Sequence, residues 1–264
     1  MPIWLYEATP LYAALFLVAF VELLSLAGLL AARRYLIPRF HFGTGINDAV
    51  SGTVQAIGVF YGITVGLIAV AVWNTNTSSS DLVSREASAI GALYRDVSGY
   101  PSPVREELQR ILRTYTVFII DEAWPAQRRG EIAAPGKSIM DDFQARLYAF
   151  EPANQSQIAL HNETLRAFNH LIEYRQLRID AVKSGLSSTM WAVIWIGAAI
   201  SIGVAYFYQI VDVKLHAALV ILMSGFLAAV LFMIVINDKP FYGSVSISPE
   251  PYELILKRLM DVSR

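Results

Sequence analysis

Apolar positions along the chain follow two different rules. In four stretches they run almost unbroken: about Leu11 to Ala32, Thr53 to Trp73, Met190 to Val211 and Leu215 to Ile236. A bilayer core about 30 Å thick needs roughly 20 helical residues at about 1.5 Å rise each, so each stretch is long enough to cross. The first is interrupted only by Glu22 and stopped by Arg33 and Arg34, and the second holds no charge at all. The third opens with Trp191 and Trp195 and closes with Tyr206, Phe207 and Tyr208, the girdle expected where a helix meets headgroups. Asp212, Val213 and Lys214 alone separate the last two, which predicts an antiparallel hairpin.

Between the second and third stretches the rule changes to helical periodicity. Val104, Leu108, Ile111, Tyr115, Phe118 and Ile119 recur at i, i+3, i+4, i+7, and so do Leu165, Phe168, Leu171, Ile172 and Ile179. Proline and glycine cluster at Gly99–Pro103, Trp124–Gly136 and Glu151–Asn154. The expected helices are therefore Ser80–Ser98, Pro103–Ala123, Ile139–Phe150 and one from Gln155 that is free to continue into the third span. The tail from Glu250 to Asp261 is expected to form one more short helix. The predicted fold class is all-α: a polytopic membrane protein with four transmembrane helices and an inserted helical extramembrane domain. Its divisions are 1–76 (helices 1 and 2), 77–188 (extramembrane domain), 189–238 (helices 3 and 4) and 239–264 (C-terminal turn and short helix).

Composition agrees with this reading. Of 264 residues, 55% are hydrophobic and 16% charged, and the mean hydropathy of +0.45 belongs to the membrane class rather than to a soluble domain. A net charge of −1 gives no basis for nucleic acid as a partner. The chain has no cysteine, which excludes disulfides, thiol catalysis and cysteine-bound metals. Residues Met1–Pro10 carry no Lys or Arg and no small-residue cleavage site follows, so the first span is expected to be retained. Four spans put both termini and the middle domain on one side. Arg33, Arg34 and Arg39 in the first loop are balanced by Arg85, Arg175, Arg178, Lys183 and Lys239 on the middle-domain side, so basic residues leave the sidedness open.

Candidate chemistry concentrates in the second span. Gly58, Gly62 and Gly66 recur every fourth residue, continued by Ala69 and Trp73, and such small-residue ridges let helix backbones approach closely in lipid. A different face carries Ile63, Leu67, Val70 and Asn74. Several copies around an axis would make of it an apolar neck opening onto the polar run Asn74–Ser80. That run reads equally well as a cap for a helix beginning near Asp81. Glu22, the one ionisable residue deep in a span, is a candidate for an ion or proton path or for an interhelical hydrogen bond. His161, Glu163, His170 and Glu173 share one helix but not one face, so no metal site is expected. No nucleophile elbow, phosphate-binding glycine loop or metalloprotease pair occurs, so neither enzyme activity nor a cofactor is expected.

Two segments carry a resemblance. One is Gly58–Pro101, with Ser80, Asp81 and the run Arg85, Glu86, Ala87; the other is the turn Asn237, Asp238, Lys239, Pro240, Phe241, Tyr242, Gly243. With the order of two spans, a helical domain and two more spans, they resemble the bestrophin-like family of uncharacterised bacterial membrane proteins, and more remotely the bestrophins, pentameric anion channels. The resemblance covers nearly the whole chain. It implies that the second span lines a pore, that the chain assembles around an axis in a bacterial inner membrane, and that the middle domain is cytoplasmic. It also implies that Asp81, Glu86, Asp238, Pro240 and Phe241 stand where that domain meets the spans. Two departures are visible: Tyr242 splits the turn, and Ser244–Ser248 replaces the acidic run of calcium-activated animal bestrophins, so calcium gating is not expected.

The expectation is thus an oligomeric channel, pentameric and conducting chloride or another anion, with the lipid bilayer, its own copies and the permeant ion as partners. The rival is a non-conducting membrane scaffold or sensor whose helical domain binds a partner. A secondary transporter is a third reading, weakened by the lack of discontinuous spans.

Overall fold

The structure, a computed structural model, describes residues 9–40, 43 and 45–261. Their regular structure is helical, with no strand among them: α1 (Pro10–Ala31), α2 (Ile46–Val97), α3 (Val104–Phe118), α4 (Trp124–Arg128), α5 (Pro135–Tyr148), α6 (Gln155–Val182), α7 (Ser188–Ala205), α8 (Val213–Asp238) and α9 (Glu250–Ile255). Among the described residues, α1, α2, α7 and α8 are long and apolar enough to cross a membrane. The chain separates into two compact units, Met1–Thr75 with Gly185–Asp238, and Asn76–Ser184 with Lys239–Arg264.

In the first unit α1 lies along α8 as the most extensive helix pair. Their core joins Leu17 and Val21 of α1, Tyr61, Val65 and Val72 of α2, Ile194 and Ala198 of α7, and Ala228, Leu231 and Ile234 of α8. Without water to receive them, backbone and hydroxyl groups close on themselves. Ser25, Thr53, Thr64 and Ser201 each donate to the carbonyl four residues earlier. Close helix approach falls on Gly197, where a Cβ would lie 2.4 Å from the Tyr61 ring. The Tyr61 hydroxyl donates to Ile194 O at 2.9 Å.

The second unit is built on the two amphipathic stripes read from sequence. Leu108, Ile111, Leu112 and Tyr115 of α3 and Phe168 and Leu171 of α6 meet Val83, Ile90 and Leu93 of α2, Phe143 and Leu147 of α5, and Tyr252 of α9 in one buried cluster.

Three boundaries differ from those expected, and a fourth is one that periodicity leaves open. The helix begun in the second span does not end at Asn74–Ser80: α2 runs 52 residues from Ile46 to Val97. No proline or glycine stands between Gly66 and Gly91, and the Thr75 hydroxyl donates back to Ala71 O at 3.0 Å, so the polar run stays helical and is not a cap. Conversely, α6 does not continue into the third span. It stops at Val182; Gly185 adopts φ 157° and Ser187 caps α7 by accepting from Met190 N. The third span ends at Ala205 rather than Val211. Finally, α5 starts at Pro135, where a missing N–H costs nothing in a first turn, rather than at Ile139.

Candidate functional site

The face of α2 that carries Ile63, Leu67 and Val70 is the one its own chain leaves bare. At about 100° per residue, Tyr61, Val65, Ala69 and Val72 centre on one side, and these are buried. Ile63, Leu67, Val70 and Asn74 centre on the opposite side. The first three are 59%, 68% and 58% exposed, and Asn74 is exposed as well. The glycine ridge lies between these two faces. A Cβ added at Gly58, Gly62 or Gly66 would meet nothing within 4 Å, so these glycines make no close approach within the chain. An exposed apolar stripe beside an exposed small-residue ridge, on a helix without charge over its membrane stretch, is a surface without a partner inside the molecule.

Glu22 projects from α1 against α8. Its Oε1 lies 2.8 Å from the point a Cβ on residue 225 would occupy, so Gly225 makes the room for the carboxyl. The side chain is half-buried. At the far end of α1, Arg33 Nη1 donates to Ile210 O at 3.2 Å and lies 3.2 Å from His216 Nδ1, while His216 Nε2 lies 3.0 Å from Ala205 O. A guanidinium can only donate, so Nδ1 accepts and Nε2 carries the proton that Ala205 O receives. His216 is fully buried by this arrangement. Sequence reading passed over it because its partners lie 11 and 183 residues away.

Asp238, the last residue of α8, accepts from Leu186 N at 2.5 Å and fixes the segment that leads into α7. Glu86 sits in the core of the second unit at 0% exposure. It is ion-paired with Arg178 through Nε, and through Nη2 at 3.2 Å; Tyr115 and Tyr252 donate to its two oxygens at 2.9 and 3.0 Å. Burial, reinforced by the Glu86 charge, pushes both phenols above their ordinary range, so they remain neutral donors. Arg178 is therefore a buried counter-ion and not one of the interfacial cations it was counted among. Asp81 is exposed, in a groove of about 770 Å³ between α2 and α6 that also holds Arg85, Asp96 and Arg166.

The turn after α8 docks on α4. Pro240 O accepts from Ile247 N at 2.9 Å, and Phe241 meets Trp124 edge-on at 5.8 Å. Tyr242, the residue that splits the turn, lies where a Cβ on Gly130 would stand, 1.7 Å from its hydroxyl; Gly130 also adopts φ 78°. Glycine is required there on both counts. The His161 ring is held by the Tyr100 hydroxyl at 2.8 Å and by Phe150, and His170 faces Glu173 at 3.6 Å. Among the described residues no three His, Cys, Asp or Glu side chains gather as a metal site.

Comparison with known proteins gives the same outline. A model of the bestrophin-like domain matches residues 18–252. A bacterial bestrophin homolog from Klebsiella pneumoniae with an isoleucine-to-threonine mutation superposes with a TM-score of 0.70 at 11% identity, covering 94% of this chain and 99% of that one. The same homolog with a tryptophan-to-alanine mutation gives 0.69 at 11% identity over 97% and 98%. A membrane protein with a proline-to-alanine mutation gives 0.65 at 10% identity over 94% and 97%. At such identities the likeness is one of fold. No curated protein matches the sequence.

Proposed function

Since the chain belongs to the bestrophin-like family, we propose that it is an oligomeric ion channel whose pore is walled by the bare face of α2, with Ile63, Leu67 and Val70 as an apolar neck and Asn74 at its polar exit. The observation that carries this reading is the exposure of those three side chains, opposite the packed side of a span without charge. Apolar side chains facing an axis gate by wetting, so the neck needs no ring of fixed charge to control conduction. Gly58, Gly62 and Gly66, open on the adjacent face, would let α2 of one copy approach the next. A pentamer, chloride or another anion as the permeant ion, a bacterial inner membrane and a cytoplasmic middle domain follow from the family resemblance and belong to the same proposal. Asp81, Glu86, Asp238, Pro240 and Phe241 are assigned the structural work of holding the middle domain and the span ends in shape.

Purified protein reconstituted in planar bilayers is expected to conduct, with the reversal potential in a chloride gradient following the anion. Leu67→Asn is expected to raise the open fraction or unitary current by wetting the neck, and Leu67→Ala to widen it. Absence of conductance at every salt and voltage tested would reject the channel. Unaltered current in both Leu67 variants would reject this neck.

A further inference from the structure

The first unit carries a second bare feature, on the side of α1, α7 and α8. Phe20, Leu24 and Gly28 of α1, Ala199 and Ile202 of α7, and Leu227 of α8 line an apolar groove of about 330 Å³. Among the described lining residues the hydroxyls are at one end, where Tyr206 is hydrogen-bonded to Ser25 and covers Gly28; a Cβ there would stand 2.5 Å from the Tyr206 hydroxyl. From Gly28 to Phe20 the groove follows α1 for about 12 Å. It lies wholly within helices suited to hydrocarbon, at the low end of the volumes that hold small ligands.

The end marked by Gly28 and Tyr206 points to the basic turn that follows α1. Arg33 is engaged with Ile210 O and His216, but Arg34 and Arg39 are exposed and without an ion pair among the described residues. The Arg33–His216 contact brings the start of α8 to the same end, and with it Lys214. The acids there are fewer: Asp48 and Asp212, of which Asp212 already caps Lys214 N and Leu215 N.

We infer that this groove and turn form a binding site for an anionic phospholipid, one acyl chain lying between α1, α7 and α8 and the phosphate resting against Arg34 and Arg39. The two parts are independent observations that select the same molecule. A free anion has no use for the groove, and a zwitterionic lipid little for the arginines. A second copy of the chain would have to bring a surplus of acid to a depth where this chain has a surplus of base. The inference does not depend on conduction.

Delipidated protein titrated with phosphatidylglycerol or phosphatidylcholine, and read by native mass spectrometry, tests it. Phosphatidylglycerol is expected to bind the tighter. Arg34→Ala with Arg39→Ala should weaken it roughly 30-fold, at about one lost lysine- or arginine-to-headgroup attraction each, and leave phosphatidylcholine unchanged. Ala199→Trp, on the exposed wall of the groove, should abolish binding of both, and Ala199→Leu should weaken both. Because the chain has no cysteine, Ala199→Cys gives a reading that does not depend on a filled groove: its alkylation should slow when phosphatidylglycerol is added. Equal binding of the two lipids by the unmodified protein would overturn the site. So would lipid retained undiminished by Ala199→Trp, unaltered alkylation, or disulfide-linked dimers of Ala199→Cys showing that another copy covers the groove.

Discussion

Glu86 and Glu22 are both acids inside helices, and the two units treat them differently. Glu86 in the middle domain is fully buried and receives Arg178, Tyr115 and Tyr252 from three other helices. Glu22 in the first span has no hydrogen-bond partner among the described residues and rests half-buried against Gly225. A close-packed soluble core admits a charge only when every lone pair is answered, because the desolvation penalty falls on the chain alone. A helix bundle in lipid keeps its polar atoms mostly uncharged and closes them locally, as Ser25, Thr64 and Ser201 do. Its bare apolar stripe, the exposed face of α2, is directed outward. The middle domain therefore answers its buried acid within one chain, whereas the membrane unit leaves the α2 face and its glycine ridge without a partner in the chain.

The contrast is broken most severely at Arg178. Arg178→Met leaves Glu86 charged and buried without a cation and is expected to cost about 3–5 kcal/mol; Glu86→Gln with Arg178→Met should recover most of that. Thermal unfolding of the two single variants and the pair measures the coupling, and strict additivity would show that the network stores nothing. Gly197→Ala in the membrane unit pushes a methyl into the Tyr61 ring and is expected to cost about 1–3 kcal/mol. Gly62→Ala, with open space around it, should change monomer stability by no more than about 0.5 kcal/mol. If Gly62→Ala nevertheless shifts the oligomer distribution in native mass spectrometry, the ridge packs between copies; an unmoved distribution removes it from the interface.

The effect expected at Gly130 exceeds that at Gly62. Gly130→Ala meets both a left-handed backbone and the Tyr242 hydroxyl, for about 1–2 kcal/mol from the backbone alone. Repeating it in a Tyr242→Ala background should remove the steric part and keep the backbone part. The smallest is a pH effect at His161. Burial lowers its imidazole below the ordinary value of 6.5. The fold therefore prefers the neutral ring, and this contribution is intact above pH 6.5. It weakens as pH falls below that toward the folded-state value, since the unfolded chain then binds the extra proton first. Unfolding followed from pH 8 to 5 should show stability declining on the acid side, and His161→Gln should flatten that decline.

The four spans were legible because length and hydropathy are local quantities that a bilayer reads directly. The stripes of α3 and α6 were legible because burial on one face imposes a period of 3.6. The turn at Asp238–Gly243 stood out only through its resemblance to the family's turn. What misled was local chemistry with two uses. Asn74–Ser80 has the residues of a cap, yet in an uninterrupted helix the same hydroxyls can bond back to their own backbone, as Thr75 does. Periodicity alone leaves the helix from Gln155 free to continue into the third span, but Gly185 and Ser187 break it there.

By itself, then, the sequence determined the class: an all-α membrane protein, its spans, its amphipathic helices and the chargeless second span with its two special faces. The tertiary structure decided which partners those residues have. It paired Glu86 with Arg178 across 92 residues, tied His216 to Arg33 across 183, seated Tyr61 on Gly197, and left Gly58, Gly62, Gly66 and the Ile63–Val70 face open. The physical reason is range. Hydropathy and periodicity act within a few turns of one helix, whereas an ion pair or a ring on a glycine depends on where a second helix arrives, which no single segment encodes.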